Sequence, residues 1–156
     1  MKTEDISKLP PDIKKQFMKY AIKLAEKKKQ SAAHGDFLTF VKQVWPEFIE
    51  GDHHKKIAEK FNRLANGECK RIIINMPPRH TKSEFASNLL PAWMIGRKPD
   101  LKIIQTTHTT ELAVRFGRKA KTLIDSPEYQ EIFKTKLKED SQAAGKWETQ
   151  QGGEYY

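Results

Sequence analysis

The sequence predicts a three-layer α/β fold with an incomplete parallel sheet, preceded by a small helical region. Three observations lead to this prediction. Residues 12–66 carry apolar side chains at helical spacing, two later runs of β-branched residues lack polar alternation, and a helical pattern follows each run. Because strand–helix–strand order carries the helix across a face of the sheet, this succession is typical of α/β proteins with right-handed crossovers.

Three helices are predicted before the first strand. The first covers residues 12–30, and residues 1–35 together form a basic lead that is partly flexible and partly helical. The second covers Asp36–Trp45, with apolar residues at i, i+3, i+4, i+7 and i+8. The third covers Asp52–Asn66, with Asp52 as its N-cap and Gly67 just past its end.

The two strand candidates are Arg71–Asn75 and Lys102–Thr106, which should lie parallel as neighbours or nearly so. Each contains adjacent isoleucines and no alternation, which is typical of strands buried on both faces of a sheet. Helices are predicted at Lys82–Ile95 and Thr109–Ile124, and Ser126-Pro127-Glu128 has the residue types that open another.

Two details qualify this pattern. Pro91 should kink the helix that begins at Lys82, and Gly96 should end it. Residues 134–156 have almost no apolar periodicity, so no strand is predicted there. Only three aromatic residues are expected to anchor this stretch, and they are Trp147, Tyr155 and Tyr156.

The segment Met76–Ser83, between the first strand and its helix, has the order of parts of a phosphate loop. Such a loop needs a lysine for the β- and γ-phosphates and a hydroxyl for Mg²⁺ at the start of a helix, and Lys82 and Ser83 supply them. Arg79 could add charge at the γ-phosphate. The usual glycine is replaced by Thr81, and the alternative interpretation is a polar turn between strand and helix.

Composition restricts the partners. The net charge is +9, which favours a polyanion such as nucleic acid, although many small domains are basic for solubility alone. The lysine-rich pattern of residues 12–30 has the same two interpretations. No apolar run approaches the roughly 20 residues of a membrane helix, so no membrane is expected as a partner. A single cysteine, Cys69, fits a reducing cytoplasm.

The stretch Ile72–Ala86 resembles the divergent Walker A region of the large terminase subunit of tailed phages, where many members read Pro-Pro-Arg-His-Gly-Lys-Ser. Here residues 77–83 read Pro-Pro-Arg-His-Thr-Lys-Ser. Segments at Gly51–His54, Pro91–Arg97 and Leu112–Arg118 extend the resemblance, which covers about residues 37–156.

The resemblance implies a P-loop NTPase fold, with residues 36–156 as the N-terminal part of an ATPase domain. It implies a motor that uses ATP and Mg²⁺ to thread double-stranded DNA into a procapsid. The implied partners are the portal protein and the small terminase subunit, with a homo-oligomeric ring when the protein is complete. The implied location is the host cytoplasm, at the procapsid portal.

The family's site residues carry over to matching positions. Lys82 and Arg79 would have catalytic roles, Ser83 would bind Mg²⁺, and His53 would pack near the adenine or lie in solvent. The nucleotide-binding set is Pro78, Arg79, His80, Thr81, Lys82, Ser83, Glu84 and His53.

An ATPase of this class also needs an acidic pair at the end of a later strand, and none of the predicted strands ends in one. We therefore interpret the chain as a fragment without the Walker B strand and without the nuclease domain of the family. We expect it to be inactive alone. Two alternatives remain, which are another P-loop nucleic-acid motor such as a helicase and a non-catalytic basic nucleic-acid-binding module.

Overall fold

The computed structural model describes residues 10–156, and the chain divides into two compact units, Met1–Ser31 and Ala32–Tyr156. The described part of the first unit belongs to helix α1, Pro11–Gly35, which confirms the helix predicted at 12–30 and extends it. Part of the predicted flexible lead lies outside the described residues. Large apolar side chains of α1, among them Ile13 and Tyr20, are exposed.

The second unit begins with two helices that the sequence predicts. Helix α2 is Phe37–Val44, and Asp36 caps it by accepting a hydrogen bond from the Thr39 amide. Helix α3 is Asp52–Ala65. Its N-cap is Gly51 and not Asp52, which is a correction, because the backbone is already helical at Asp52.

A continuous helix follows the loop, and it contains a widened turn. Helix α4 is Lys82–Glu84, a π-helical turn spans Phe85–Leu89, and helix α5 is Leu90–Arg97. Proline lacks an N–H and crowds the carbonyl four residues earlier, so the wide turn before Pro91 accommodates it without a break. The prediction that Gly96 ends the helix is wrong, since Gly96 lies inside α5.

Close packing explains the glycine at position 96. A Cβ atom built there would lie 2.5 Å from the Phe133 ring. Two further helices, α6 at Thr110–Ile124 and α7 at Pro127–Ile132, are capped by the hydroxyls of Thr109 and Ser126. These two helices confirm the sequence prediction.

Within residues 10–156 the structure contains one sheet of four strands. They are β1 at Lys102–Ile103, β2 at Leu137–Ala143, β3 at Lys146–Thr149 and β4 at Glu154–Tyr155, in the order β1-β4-β3-β2. The mixed α/β class is confirmed. The prediction of a purely parallel sheet is wrong: β1 and β4 are parallel, but the tight connections after β2 and β3 force antiparallel pairs.

The segment Arg71–Asn75 forms no strand with any described residue, so its prediction as a two-sided buried strand is wrong. Ile72 and Ile74 pack partly against the core, whereas Ile73 is 89% exposed. Ile104, in the middle of the other predicted strand, lies just beyond the end of β1 and is 79% exposed. Runs of isoleucine favour strands, but burial of both faces of a strand also requires helices or another sheet packed over each face.

The C-terminal strands are the largest feature that the sequence pattern missed. Trp147 and Tyr155 are fully buried and stack with ring centroids 4.8 Å apart, as their expected anchoring role requires. Trp147 also donates a hydrogen bond from Nε1 to the Gly117 carbonyl of α6. Tyr156 is 45% exposed, so its expected role as an anchor is wrong.

Candidate phosphate-binding loop

The loop Met76–Ser83, which follows Arg71–Asn75 and leads into α4, has an unusual backbone. Arg79 has a φ of 64° and Thr81 has a φ of 58° and a ψ of 7°, so both lie in the left-handed region. Non-glycine residues in this region cost on the order of 1–3 kcal/mol each, and they persist where surrounding contacts hold them. The positive φ of Thr81 occurs at the position where a phosphate loop usually has glycine, which adopts this conformation freely.

The start of the helix leaves backbone donors open. The first helical hydrogen bond joins the Phe85 amide to the Thr81 carbonyl at 2.9 Å. Within residues 10–156, the amides of Lys82, Ser83 and Glu84 have no acceptor. A left-handed residue followed by helical ones turns successive N–H groups toward one side, and such a concave set of donors suits an anion.

Cationic side chains surround these donors. The Lys82 ammonium donates to the Met76 carbonyl at 3.3 Å, so it reaches back across the whole loop. His80 Nδ1 lies 2.9 Å from the Pro78 carbonyl oxygen. Arg79 is exposed and makes no hydrogen bond or ion pair with the described residues. The residues 76–84 line a concave cavity of about 430 Å³.

Glu84, the acidic residue of the loop lining, is held by its neighbours. Its carboxylate accepts from Asn88 Nδ2 at 2.6 Å and from the Lys119 ammonium of α6 at 2.7 Å. Lys119 and Glu84 thus form an ion pair between α6 and α4. The pairing neutralises a negative charge that would otherwise repel an anion at the helix start.

Both His53 and His54 lie against the loop, and His54 hydrogen-bonds to it. His54 Nε2 lies 2.7 Å from Thr81 Oγ1, and its Nδ1 accepts from the Gly51 amide at 2.9 Å. The His53 ring packs 3.8 Å from that of His54 and 5.7 Å from that of His80. The nucleotide-binding role of His53 therefore stays a prediction.

Burial of His54 determines its charge. The side chain is buried, and this desolvation lowers its pKa, as do the nearby His53 and His80, while Glu50 acts in the opposite direction. Neutral imidazole is also the form that can accept the Gly51 hydrogen bond on Nδ1. The sequence did not predict that His54 hydrogen-bonds to Thr81, although its position three residues after the N-cap of α3 is one from which a side chain reaches back to the cap amide.

The site fits Mg²⁺ only in part. The Ser83 hydroxyl is exposed beside the open amides and could serve as a ligand. Among residues 10–156, no group of three or more histidine, cysteine or acidic side chains could hold a metal ion. A metal ion here would therefore need further oxygen ligands from a bound molecule, such as the phosphates of a nucleoside triphosphate.

Comparisons with protein-family models, with curated proteins and with solved structures gave no match to this chain. Among residues 10–156, no helix is long and apolar enough to cross a membrane.

Proposed function

We propose that this chain binds Mg·ATP at the loop Met76–Ser83. The observation that carries the proposal is the set of open amides at Lys82, Ser83 and Glu84, beside a left-handed Thr81 and two cationic side chains. Backbone donors at a helix start favour a phosphate chain, and the ammonium of Lys82 can leave the Met76 carbonyl for a stronger, charge-assisted bond to phosphate.

Each residue then has a distinct task. Lys82 and Arg79 bind and orient the terminal phosphates, and Ser83 holds Mg²⁺ through its hydroxyl. The amides after Thr81 donate hydrogen bonds to the oxygens of the inner phosphates. Mg²⁺ neutralises charge on the phosphates when it is bound. Pro78 and His80 shape the entrance, because the His80 ring is fixed against the Pro78 carbonyl.

We further propose that the chain is the ATP-binding part of a viral DNA-packaging motor, a terminase large subunit. The support is the resemblance of Ile72–Ala86 to that family, together with a helix that starts at the lysine of the loop. Double-stranded DNA, the portal protein and the small terminase subunit are the proposed partners, in a homo-oligomeric ring at the procapsid portal in the host cytoplasm. A helicase is the alternative motor.

Titration of Mg·ATP into the wild-type chain and into Lys82→Ala tests the binding proposal. Loss of the lysine should weaken affinity at least about tenfold, because it removes a charge-assisted bond to phosphate. Lys134→Ala is a matched control, since this exposed lysine lies outside the loop. Equal affinity of the wild type and Lys82→Ala would mean that the loop is a polar turn only.

The second candidate is a non-catalytic nucleic-acid-binding module, and helix α1 favours it. The helix exposes lysines such as Lys19, Lys23 and Lys27 and has few acidic residues. Neutralising Lys19 and Lys23 together should weaken duplex DNA binding and flatten its salt dependence, while Mg·ATP affinity stays unchanged. Salt-sensitive DNA binding in a chain that binds no nucleotide would favour this candidate.

A further inference from the structure

Thr81 is an unexpected residue for its backbone conformation. Its Cβ branch disfavours the left-handed region more than an unbranched side chain would, and glycine would adopt it freely. Yet Thr81 directly precedes the open amides of Lys82 and Ser83. Something must therefore hold Thr81 in place if these donors are to stay turned toward a ligand.

A directional chain of hydrogen bonds reaches Thr81 from α3. The Gly51 amide donates to His54 Nδ1 at 2.9 Å, which leaves the ring proton on Nε2. Nε2 then donates to Thr81 Oγ1 at 2.7 Å, and the Thr81 hydroxyl donates to the His80 carbonyl at 2.7 Å. Each donor has one acceptor, so the chain of bonds is complete from the cap of α3 to the loop.

The imidazole at the centre of this chain is itself fixed. His54 is 5% exposed, and its ring lies 4.8 Å from that of Phe48 and 5.0 Å from that of Phe85. Phe85 is fully buried at the start of the π-helical turn. The ring therefore connects the packed core to the loop and can transmit the position of α3 to Thr81.

We propose that His54 is a positioning residue that holds Thr81 in the left-handed conformation, so that the His54–Thr81 pair replaces the glycine usual at this point of a phosphate loop. The identity of the ligand rests on the proposed function, whereas the contact between His54 and Thr81 does not depend on it. It predicts that the histidine is needed only while residue 81 is a threonine.

A double-mutant cycle tests this dependence. The four proteins are wild type, His54→Ala, Thr81→Gly and the double variant. The first measurement is the amide hydrogen-exchange rate of Phe85, whose amide donates to the Thr81 carbonyl at 2.9 Å, without nucleotide and normalised to α6. His54→Ala should speed exchange about tenfold when residue 81 is threonine and less than about twofold when it is glycine.

Two conservative variants separate the hydrogen bond from packing. Thr81→Val keeps the branch but removes the hydroxyl, so it should behave like His54→Ala. His54→Gln offers both an acceptor for Gly51 and a donor for Thr81, so it should restore slow exchange to within about threefold of wild type. It also serves as the folded comparison if His54→Ala unfolds.

The second measurement is Mg·ATP affinity in the same proteins. If no variant binds Mg·ATP but exchange shows the coupling, the proposed function fails and the positioning role of His54 stands. Equal acceleration of exchange by loss of His54 in the threonine and glycine backgrounds would overturn the positioning role, whatever the affinity. His54 would then act only by capping and packing α3.

Discussion

Among the turns of residues 10–156 that adopt left-handed backbone, two do so by opposite means. The connection from β3 to β4 uses glycine, with Gly152 at a φ of 90°. The loop before α4 uses Arg79 and Thr81 at φ values of 64° and 58°. In the glycine turn the conformation is free of strain, whereas in the loop neighbouring side chains must hold it.

The two turns also differ in what they leave unbonded. In the glycine turn, the buried hydroxyl of Thr149 donates to the Pro99 carbonyl at 2.5 Å and accepts from the Gly153 amide at 2.8 Å. In the loop, the amides after Thr81 stay open within the described residues. The glycine turn satisfies its own backbone, whereas the strained loop keeps open donors, and this difference motivates the proposal that the loop binds a ligand.

The largest expected effect concerns catalysis at the loop. Its lining carboxylate, Glu84, is bonded to Lys119 and Asn88, so no free acid there can orient water. We expect the chain alone to release phosphate several orders of magnitude more slowly than the roughly 1–100 s⁻¹ of efficient phosphoryl-transfer enzymes. A phosphate-release assay with Lys82→Ala as background measures this.

A companion polypeptide that carries an acidic strand should raise that rate. Arg71–Asn75, which has no strand partner among the described residues, offers it an edge to pair with. Robust, Lys82-dependent hydrolysis by the isolated chain would contradict the expectation and would mean that the catalytic acids lie among its own residues.

The next effect tests the glycine turn. A Cβ atom at Gly153 would lie 2.3 Å from the Pro99 carbonyl oxygen and 2.9 Å from that of Leu101. Both neighbours are backbone, so Gly153→Ala should lower the free energy of unfolding by about 3 kcal/mol in a urea titration.

Gly152→Ala is the matched control for that variant. Nothing lies within 4 Å of a Cβ atom at Gly152, so an alanine there would be strained only by the positive φ. The expected loss is about 1 kcal/mol. If the two variants lose equal stability, close approach is not what selects glycine at position 153.

The smallest effect is a pH dependence at the loop. The pKa of His54 is lowered from 6.5, mainly by burial. The unfolded chain therefore takes up this proton at a higher pH than the folded one. The contribution of His54 to stability is complete above about pH 6.5 and decreases as the pH falls from there toward the lowered pKa.

Urea titrations of wild type and His54→Gln at pH 7.5 and pH 5 measure that contribution. The wild type should lose more stability than the glutamine variant, since the two proteins share every other ionisable group. A larger loss in His54→Gln than in wild type would show that protonated His54 is tolerated in the fold.

Much of the helical structure could be predicted from the sequence, because apolar spacing and capping residues act locally. Thr109 and Ser126 cap helices where their types suggest. The strands could not be predicted in the same way. Lys138 and Glu148 form a cross-strand ion pair in a stretch whose composition is typical of a loop. The packing of these strands depends on Trp147, which bonds to the distant helix α6.

The candidate site shows the same division. The positions of Lys82 and Ser83 at the start of a helix follow from local pattern, and the structure confirms that helix start. The contact between His54 and Thr81 joins residues 27 positions apart, and it depends on how α3 packs beside the loop. No spacing rule within one element can reveal such a contact.

The central claim is that the open amides after Thr81 receive phosphate. Amide hydrogen exchange of the whole chain, with and without Mg·ATP, tests this claim most directly. The account predicts that exchange slows most in the peptide covering residues 76–84, and that Lys82→Ala removes this protection. Protection confined to other segments, or protection of residues 76–84 that survives Lys82→Ala, would contradict it.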